Sequence, residues 1–155
     1  MTRDEMIAVH DEHVAAEERH DHEAAAATYV EGGYYEYVPL GVRLEGREAI
    51  EANYAVGNAA TPDSRFDIEG VMVDEPYLMH WGVLHGTVTG PFLGQEPTGN
   101  TIALPFVARF EFEDGKMKGE KIWFDLATLC EQAGLDLEQA QANAKALAAA
   151  LAGAA

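Results

Sequence analysis

The first third of the chain has the periodicity of helices. Residues 2–19 contain no Gly or Pro, and apolar or histidine residues recur there every three or four positions. This spacing predicts an amphipathic helix with histidines on its inward stripe. Asp21 then begins an Ala-rich segment, which predicts a second helix that ends near Val30, before two glycines. A strand, a loop and a third helix are predicted next, over residues 34–38, 39–46 and 47–56.

After residue 64 the apolar positions follow a period of two, which is typical of strands with one buried face. The four predicted strands cover residues 65–73, 77–88, 102–112 and 116–124. Asp114-Gly115 between the last two is a strong hairpin signal, because both residues tolerate the positive φ of a type I′ turn. Helices followed by an antiparallel meander predict an α+β fold, with helices packed on one face of a curved sheet.

Two further helices are predicted at the end of the chain. A short one over residues 126–133 ends at Gly134, and an Ala-rich one over residues 137–151 carries an apolar stripe. That stripe suits packing on its own domain or on a partner subunit. We therefore predict one domain over residues 1–135 and a C-terminal helical extension of it over residues 136–155.

The charge and cysteine content of the chain narrow the range of functions that it can have. The 155 residues include 27 acidic and 10 basic side chains, a formal net charge of -17, which disfavours binding to nucleic acid or to an anionic membrane. Cys130 is the only cysteine, so no disulfide can form within the chain. No apolar run approaches the roughly 18 residues of a membrane span. We expect a cytoplasmic protein with a small-molecule or protein partner.

The last predicted strand supplies the first candidate for chemistry. Alternation places Lys121, Trp123 and Asp125 on one face and Glu120 and Ile122 on the other. If Asp125 lies in an apolar pocket at the end of the sheet, its pKa rises and it can act as general acid or base. The alternative is structural, because Asp125 directly precedes a helix and Asp is a favoured N-cap.

The first helix supplies a second candidate site. His13, Glu17 and His20 are spaced i, i+4 and i+7, so they share one helix face over two turns. Two imidazoles and a carboxylate there can bind Zn²⁺ or Fe²⁺, or can pass protons into a pocket below. The competing interpretation is a solvated acidic helix, which is the commoner case.

Single polar residues in the strands add further candidates. His80 and His85 alternate to opposite faces, so only one of them can line a pocket. Arg109 is the one cation in an apolar run, and it either pairs with a buried acid or points to solvent. Tyr35 and Tyr37 lie in a tyrosine-rich strand that directs at least one phenol inward, where it can donate to an oxyanion or fill space.

Two segments resemble a known family. GTVTGPFLGQEPTG at residues 86–99 and RFEFEDGKMKGEKIWFDLATLCEQAGL at residues 109–135 resemble the SnoaL-like polyketide cyclases of the nuclear transport factor 2-like superfamily. The resemblance extends over roughly residues 7–135. It implies a cone of curved antiparallel sheet, wrapped around the N-terminal helices and enclosing an apolar cavity, in a protein that is commonly a homodimer.

The resemblance also implies chemistry. The family's cyclases close a ring by an intramolecular aldol reaction without a cofactor, using an aspartate near the end of the last long strand. Asp125 in WFDLATL matches that aspartate, which makes Trp123 a wall residue of the cavity. Many relatives have GTHTG where this chain has Val88 in GTVTG, so this chain lacks the histidine that a mechanism using it would need.

These observations lead to one hypothesis and two alternatives. The hypothesis is a cofactor-independent lyase or isomerase acting on a small, apolar carbonyl compound. Its expected catalytic residues are Asp125, His20, His80, Tyr35 and Arg109, and its expected substrate contacts are Trp123, Phe92, Tyr37 and His13. Asp125 would move the proton, a tyrosine or histidine would stabilise the enolate, and Arg109 would balance the charge of Asp125. The alternatives are a non-catalytic binder of small hydrophobic molecules and a metal-dependent variant built on His13, Glu17 and His20.

Overall fold

In the computed structural model, which describes residues 1–153, helices cover the inner face of one curved six-stranded sheet. The helices are α1 (Arg3–Glu18), α2 (His22–Ala27), α3 (Arg47–Ala60), α4 (Leu126–Ala133) and α5 (Leu137–Gly153), with a 3₁₀ turn at Val38–Leu40. The strands are β1 (Tyr29–Tyr37), β2 (Val42–Glu45), β3 (Arg65–Asp74), β4 (Tyr77–Thr87), β5 (Thr101–Glu113) and β6 (Lys116–Phe124). The predicted α+β class is confirmed.

The sheet is mixed, which corrects the prediction of an antiparallel one. Its strand order is β2-β1-β6-β5-β4-β3, and the predicted antiparallel meander from β3 to β6 is present. The chain leaves β2, crosses in α3 and begins β3 at the opposite edge. The meander then returns across the sheet, so that β6 ends beside β1 and runs parallel to it.

The segment between α2 and α3 also differs from the prediction. Helix α2 ends at Ala27, because the Thr28 carbonyl accepts from the Met117 amide and the chain begins pairing with β6. The two glycines therefore lie in an irregular part of β1 and do not end a helix. The predicted loop contains the edge strand β2, in which Val42 and Leu44 are buried and the residues between and after them are exposed. That alternation was the signal for a strand.

The outer face of the sheet carries an apolar row. Trp81, Val107 and Trp123 lie opposite one another on β4, β5 and β6, and both tryptophans are 37% exposed. The Trp81 ring lies against β3 at Gly70, where a Cβ atom would stand 2.2 Å from the indole. Glycine at this position therefore allows the ring to lie flat on the sheet.

Asp125 lies at the surface, which corrects the expectation that it faces a cavity. It is the N-cap of α4, and its Oδ1 accepts from the Thr128 backbone amide at 2.6 Å. That hydrogen bond lowers the pKa of the carboxyl group below its usual value. Because β6 ends at Phe124, the chain turns into α4 at Asp125, and the side chain follows the turn away from the interior.

The capping role predicts a stability effect. Asp125→Ala should lower the melting temperature by about 2–4 °C, because one amide of the first turn of α4 loses its acceptor. Asp125→Ser is the matched control, since a serine hydroxyl can accept the same hydrogen bond. Calorimetry of the three proteins checks this expectation, and an Ala variant as stable as the parent would contradict it.

Candidate active site

A cavity of about 190 Å³ lies between the sheet and the helices. Its polar end is formed by Glu17 of α1, His80 of β4, Glu120 of β6 and Tyr54 of α3. The remainder of the wall is mainly aliphatic and aromatic, with side chains such as Leu44, Leu104, Phe106 and Ile122. A few polar groups at one end of an apolar cavity are the usual arrangement of a small-molecule site.

Helix α5 closes the apolar end of the cavity. It contributes the side chains of Ala144, Leu147, Ala148 and Leu151 to the wall. Its Asn143 side-chain amide donates to the Leu93 carbonyl at 3.0 Å, which ties the helix to the loop before β5. No helix within residues 1–153 is long and apolar enough to cross a membrane.

The polar end contains a buried imidazole between two carboxylates. His13 and Glu17 are one turn apart on α1, and Glu120 reaches them from the facing strand β6. His13 Nε2 lies 3.6 Å from Glu17 Oε2 and 3.6 Å from Glu120 Oε2. His13 is fully buried, and Glu120 nearly so. Buried charges of this kind require both ionic and hydrogen-bonded partners.

Hydrogen bonds on one side of His13 fix a proton on Nδ1. The Thr28 hydroxyl donates to the Ala25 carbonyl at 2.6 Å, so its single hydrogen is already used. Its oxygen lies 2.9 Å from His13 Nδ1 and can only accept there. Nδ1 of His13 therefore carries a hydrogen.

A chain of two tyrosines fixes a second proton on Nε2. Tyr29 donates its hydroxyl hydrogen to Glu120 Oε2 at 2.8 Å. Tyr54 Oη, 2.9 Å from Tyr29 Oη, must then donate to Tyr29. The Tyr54 oxygen consequently accepts from His13 Nε2 at 3.3 Å. With both nitrogens donating, His13 is an imidazolium ion.

The pKa shifts expected from burial and charge in the cluster agree with this assignment. Burial opposes protonation of His13, but the nearby Glu17 and Glu120 carboxylates outweigh burial and raise its pKa above 6.5. Burial raises the pKa of Glu17 to about 7, against the attraction of His13, and repulsion from Glu120 adds to the rise. A carboxyl group that faces the cavity thus exchanges its proton near neutral pH.

Several residues predicted from the sequence lie in or beside the cavity. Its wall includes Tyr35, Tyr37, His80 and Phe92. Tyr37 Oη accepts from the Asn53 side-chain amide at 3.1 Å, so the hydroxyl hydrogen remains to be donated elsewhere. His13 is separated from the cavity by Tyr54 and is part of the network behind the wall.

Other predicted residues lie outside the cavity. Trp123 and Arg109 are on the outer face of the sheet, where the Arg109 guanidinium lies 3.4 Å from Tyr34 Oη. His20 follows the end of α1 with a φ of 57°, which breaks the helical spacing on which its pairing with His13 and Glu17 depended. Within residues 1–153, no three His, Cys, Asp or Glu side chains are grouped to hold a metal ion.

Reasoning from the sequence missed Glu120 and Tyr54. The alternation in β6 was predicted correctly, since Glu120 and Ile122 are buried while Trp123 is half exposed. A single acidic residue on the apolar face of that strand was the available signal. The signal for Tyr54 in the sequence was weaker, because an aromatic residue in a helix is usually only part of the core.

The chain belongs to the SnoaL-like polyketide cyclase family, whose sequence model matches residues 8–133. This confirms the resemblance found in the sequence. No protein of curated function matches the chain.

Solved structures share the fold at low sequence identity. A proposed polyketide cyclase from Xanthomonas campestris pv. campestris is 22% identical with a TM-score of 0.76, covering 84% of this chain and 98% of that one. AclR, a proposed hydroxylase from Streptomyces galilaeus, is 22% identical with a TM-score of 0.72, covering 86% and 98%. A protein from Catenulispora acidiphila with a ketosteroid isomerase-like fold, solved with trimethylamine, is 18% identical with a TM-score of 0.71, covering 84% and 95%. These similarities establish the fold alone.

The raised pKa of Glu17 predicts how stability depends on pH. Between about pH 4.5 and 7 the unfolded chain releases this proton while the folded protein retains it, so stability falls as pH rises through that window. Glu17→Gln cannot titrate, and its stability relative to the parent should therefore increase from pH 4.5 to pH 7 and then level off. Urea unfolding across this range measures the difference.

Glu12→Gln serves as the control for this measurement. Glu12 lies on the same helix but is exposed to solvent. Its substitution should leave the pH dependence of stability unchanged. Parallel curves for the parent and Glu17→Gln would show that Glu17 ionises normally and would contradict the assignment.

Proposed function

We propose that this protein is a cofactor-independent acid–base enzyme of the lyase or isomerase type, acting on a small, apolar carbonyl compound. The observation that carries the proposal is the Glu17 carboxyl group, which faces the cavity and titrates near neutral pH. A general base is most effective when its pKa lies near the working pH. Family membership supports the same class of chemistry.

Glu17 is the proton-transferring group in this proposal. As a carboxylate it removes a proton from the carbon beside the carbonyl group, and as a carboxylic acid it returns the proton elsewhere on the substrate. His13 and Glu120 lie close to it with opposite charges, so their combined charge changes little as Glu17 gains or loses its proton. Both are fixed by hydrogen bonds and need not reorganise during the reaction.

Tyr37 is the donor to the developing oxyanion. Asn53 occupies an acceptor site on its hydroxyl oxygen and leaves the hydrogen for a ligand in the cavity. A fixed donor in a site with little water stabilises an enolate far better than water does. Tyr35, whose ring centroid lies 4.7 Å from that of Tyr37, packs against this donor and limits its movement.

The rest of the cavity favours an apolar substrate. Beyond the polar end most of the wall is formed by Leu, Phe, Ile, Val and Ala side chains, which offer no hydrogen bonds. A volume of about 190 Å³ suits a small molecule. The similar structures named as a polyketide cyclase and a hydroxylase are consistent with an oxygenated carbon skeleton.

Hydrogen exchange tests this function without knowledge of the natural substrate. In D₂O the protein should catalyse deuterium incorporation beside the carbonyl group of small ketones such as cyclohexanone and acetophenone, followed by NMR. Glu17→Gln should slow the exchange by about 100-fold or more, which is the usual contribution of a general base. Asp125→Asn, which changes a surface carboxylate, should leave the rate unchanged.

The outcomes separate this proposal from its rival. If Glu17→Gln exchanges as fast as the parent, Glu17 is not the base. If the ketones bind to the parent without any catalysed exchange, the protein is a carrier of small hydrophobic molecules and not an enzyme.

We also propose a cytoplasmic homodimer that pairs through the outer face of the sheet. The row of Trp81, Val107 and Trp123 is a contiguous apolar surface that Met79 extends, and Met79 and both tryptophans are each 37% exposed. Cys130 is buried and unpaired, which suits a reducing compartment.

A charge placed in this row should prevent pairing. Trp123→Lys should convert a dimer to a monomer in sedimentation velocity, because the lysine would have to be buried without a partner. Leu137→Lys replaces an equally exposed apolar residue outside the sheet and should leave the dimer intact. A parent protein that sediments as a monomer would refute the pairing.

A further inference from the structure

A second set of polar residues connects the cavity to the protein surface through α1. His80 Nδ1 lies 2.8 Å from His10 Nε2, and His10 Nδ1 lies 3.0 Å from Asp11 Oδ1. Both imidazoles are buried, whereas the Asp11 side chain is 70% exposed. The proposed function uses none of these three residues.

The hydrogen positions in the His80–His10–Asp11 contacts can be assigned by starting from Asp11, the exposed residue. The Asp11 carboxylate only accepts, so His10 Nδ1 carries a hydrogen. Burial lowers the pKa of His10 and lowers that of His80 to about 4, so both rings are neutral at pH 7. A neutral His10 protonated on Nδ1 has a bare Nε2. His80 Nδ1 must therefore donate to it, and His80 Nε2 is left with a lone pair.

The bare nitrogen of His80 is open to the cavity. His80 is part of the cavity wall, and its Nε2 makes no hydrogen bond within the described residues. Among the side-chain nitrogens and oxygens of residues 1–153, only Arg109 Nε is both fully buried and without a partner. Because His80 Nε2 has no partner either, it cannot be fully buried in the protein. His80 thus offers an acceptor where Tyr37 offers a donor.

We propose that His80 Nε2 is a hydrogen-bond acceptor for the ligand, held in that state by His10 and Asp11, and that the ligand carries a hydroxyl group besides its carbonyl group. His80 is the contacting residue, and His10 and Asp11 are positioning residues. The sequence hypothesis had His80 donating to an enolate, and the hydrogen-bond chain reverses that role. The carbonyl group of the ligand rests on the proposed function. The hydroxyl group does not, because the acceptor that binds it is defined by the His80–His10–Asp11 contacts.

The packing around the two imidazoles supports a fixed orientation. Phe110 meets the edge or face of both rings, with centroids 5.1 Å from His10 and 5.0 Å from His80. Phe106 packs against His80 from another side at 5.3 Å. Aromatic neighbours on two sides prevent the His80 ring from turning over, so the tautomer and the direction of Nε2 are set together.

Nitrogen NMR of the ¹⁵N-labelled protein tests the tautomer directly. In the parent, His80 should carry its hydrogen on Nδ1 and His10 should do the same. His10→Phe keeps an aromatic ring at this position but removes the acceptor, so His80 should shift towards the tautomer protonated on Nε2. His85→Gln changes a histidine on the same strand that takes no part in the His80–His10–Asp11 contacts, and it should leave the His80 signals unchanged. The proposal would be overturned if His80 of the parent were protonated on Nε2. It would also be overturned if the His80 tautomer stayed the same in a folded His10→Phe variant.

A pair of probes tests the ligand class. Phenol and toluene have nearly the same shape and differ by one hydroxyl group, and their affinities can be measured by NMR titration. The ratio of phenol to toluene affinity should be about fivefold higher in the parent than in His80→Phe, the usual effect of one hydrogen bond. An equal ratio in both proteins would overturn the hydroxyl requirement. Neither result depends on Glu17, so failure here is distinguishable from failure of the ketone exchange.

Discussion

The burial of Glu120 on the inner face of β6 is the constraint on which the interior depends. A carboxylate in that position is tolerable only if donors are fixed around it, because each unmet buried polar group costs about 1–3 kcal/mol. Tyr29 of β1 supplies one donor, and its oxygen then requires Tyr54 of α3, whose oxygen in turn requires His13 of α1. Four elements are thus oriented by one chain of hydrogen bonds, and the cavity is the space that their side chains leave open.

Much of the fold was predictable because it depends on local periodicity. The boundaries of β6 and α4 follow directly from the alternation, from Asp114-Gly115 and from Gly134, which takes the left-handed conformation that ends the helix. The parallel pairing of β1 with β6 was not predictable, because it depends on where a distant crossover returns the chain. The short strand β2 was missed for a related reason, since four residues gain their strand character only from pairing with β1.

The site was predicted less well than the fold, and the errors have physical causes. Alternation correctly divided the residues of β6 between two faces of the sheet. It could not show which face is buried, because that depends on what packs against each face. The apolar Trp123 side chain led to the prediction that its face is the inner one, whereas it is the outer one. His13 and Glu17 were correctly paired by helical spacing. His20 was not, because α1 ends at Glu18. The directions of the hydrogen bonds, which decide where protons lie, exist only once residues distant in sequence are brought together.

The position of α5 has a consequence for how this protein can change. The family match ends at residue 133, and every acidic, imidazole and phenolic group of the cavity lies within residues 8–133, while α5 supplies only aliphatic wall. Substitutions on that wall can alter the length or bulk of the molecule admitted without disturbing a single proton position. Selection can therefore act on this part of the cavity wall while the reactive groups are held constant.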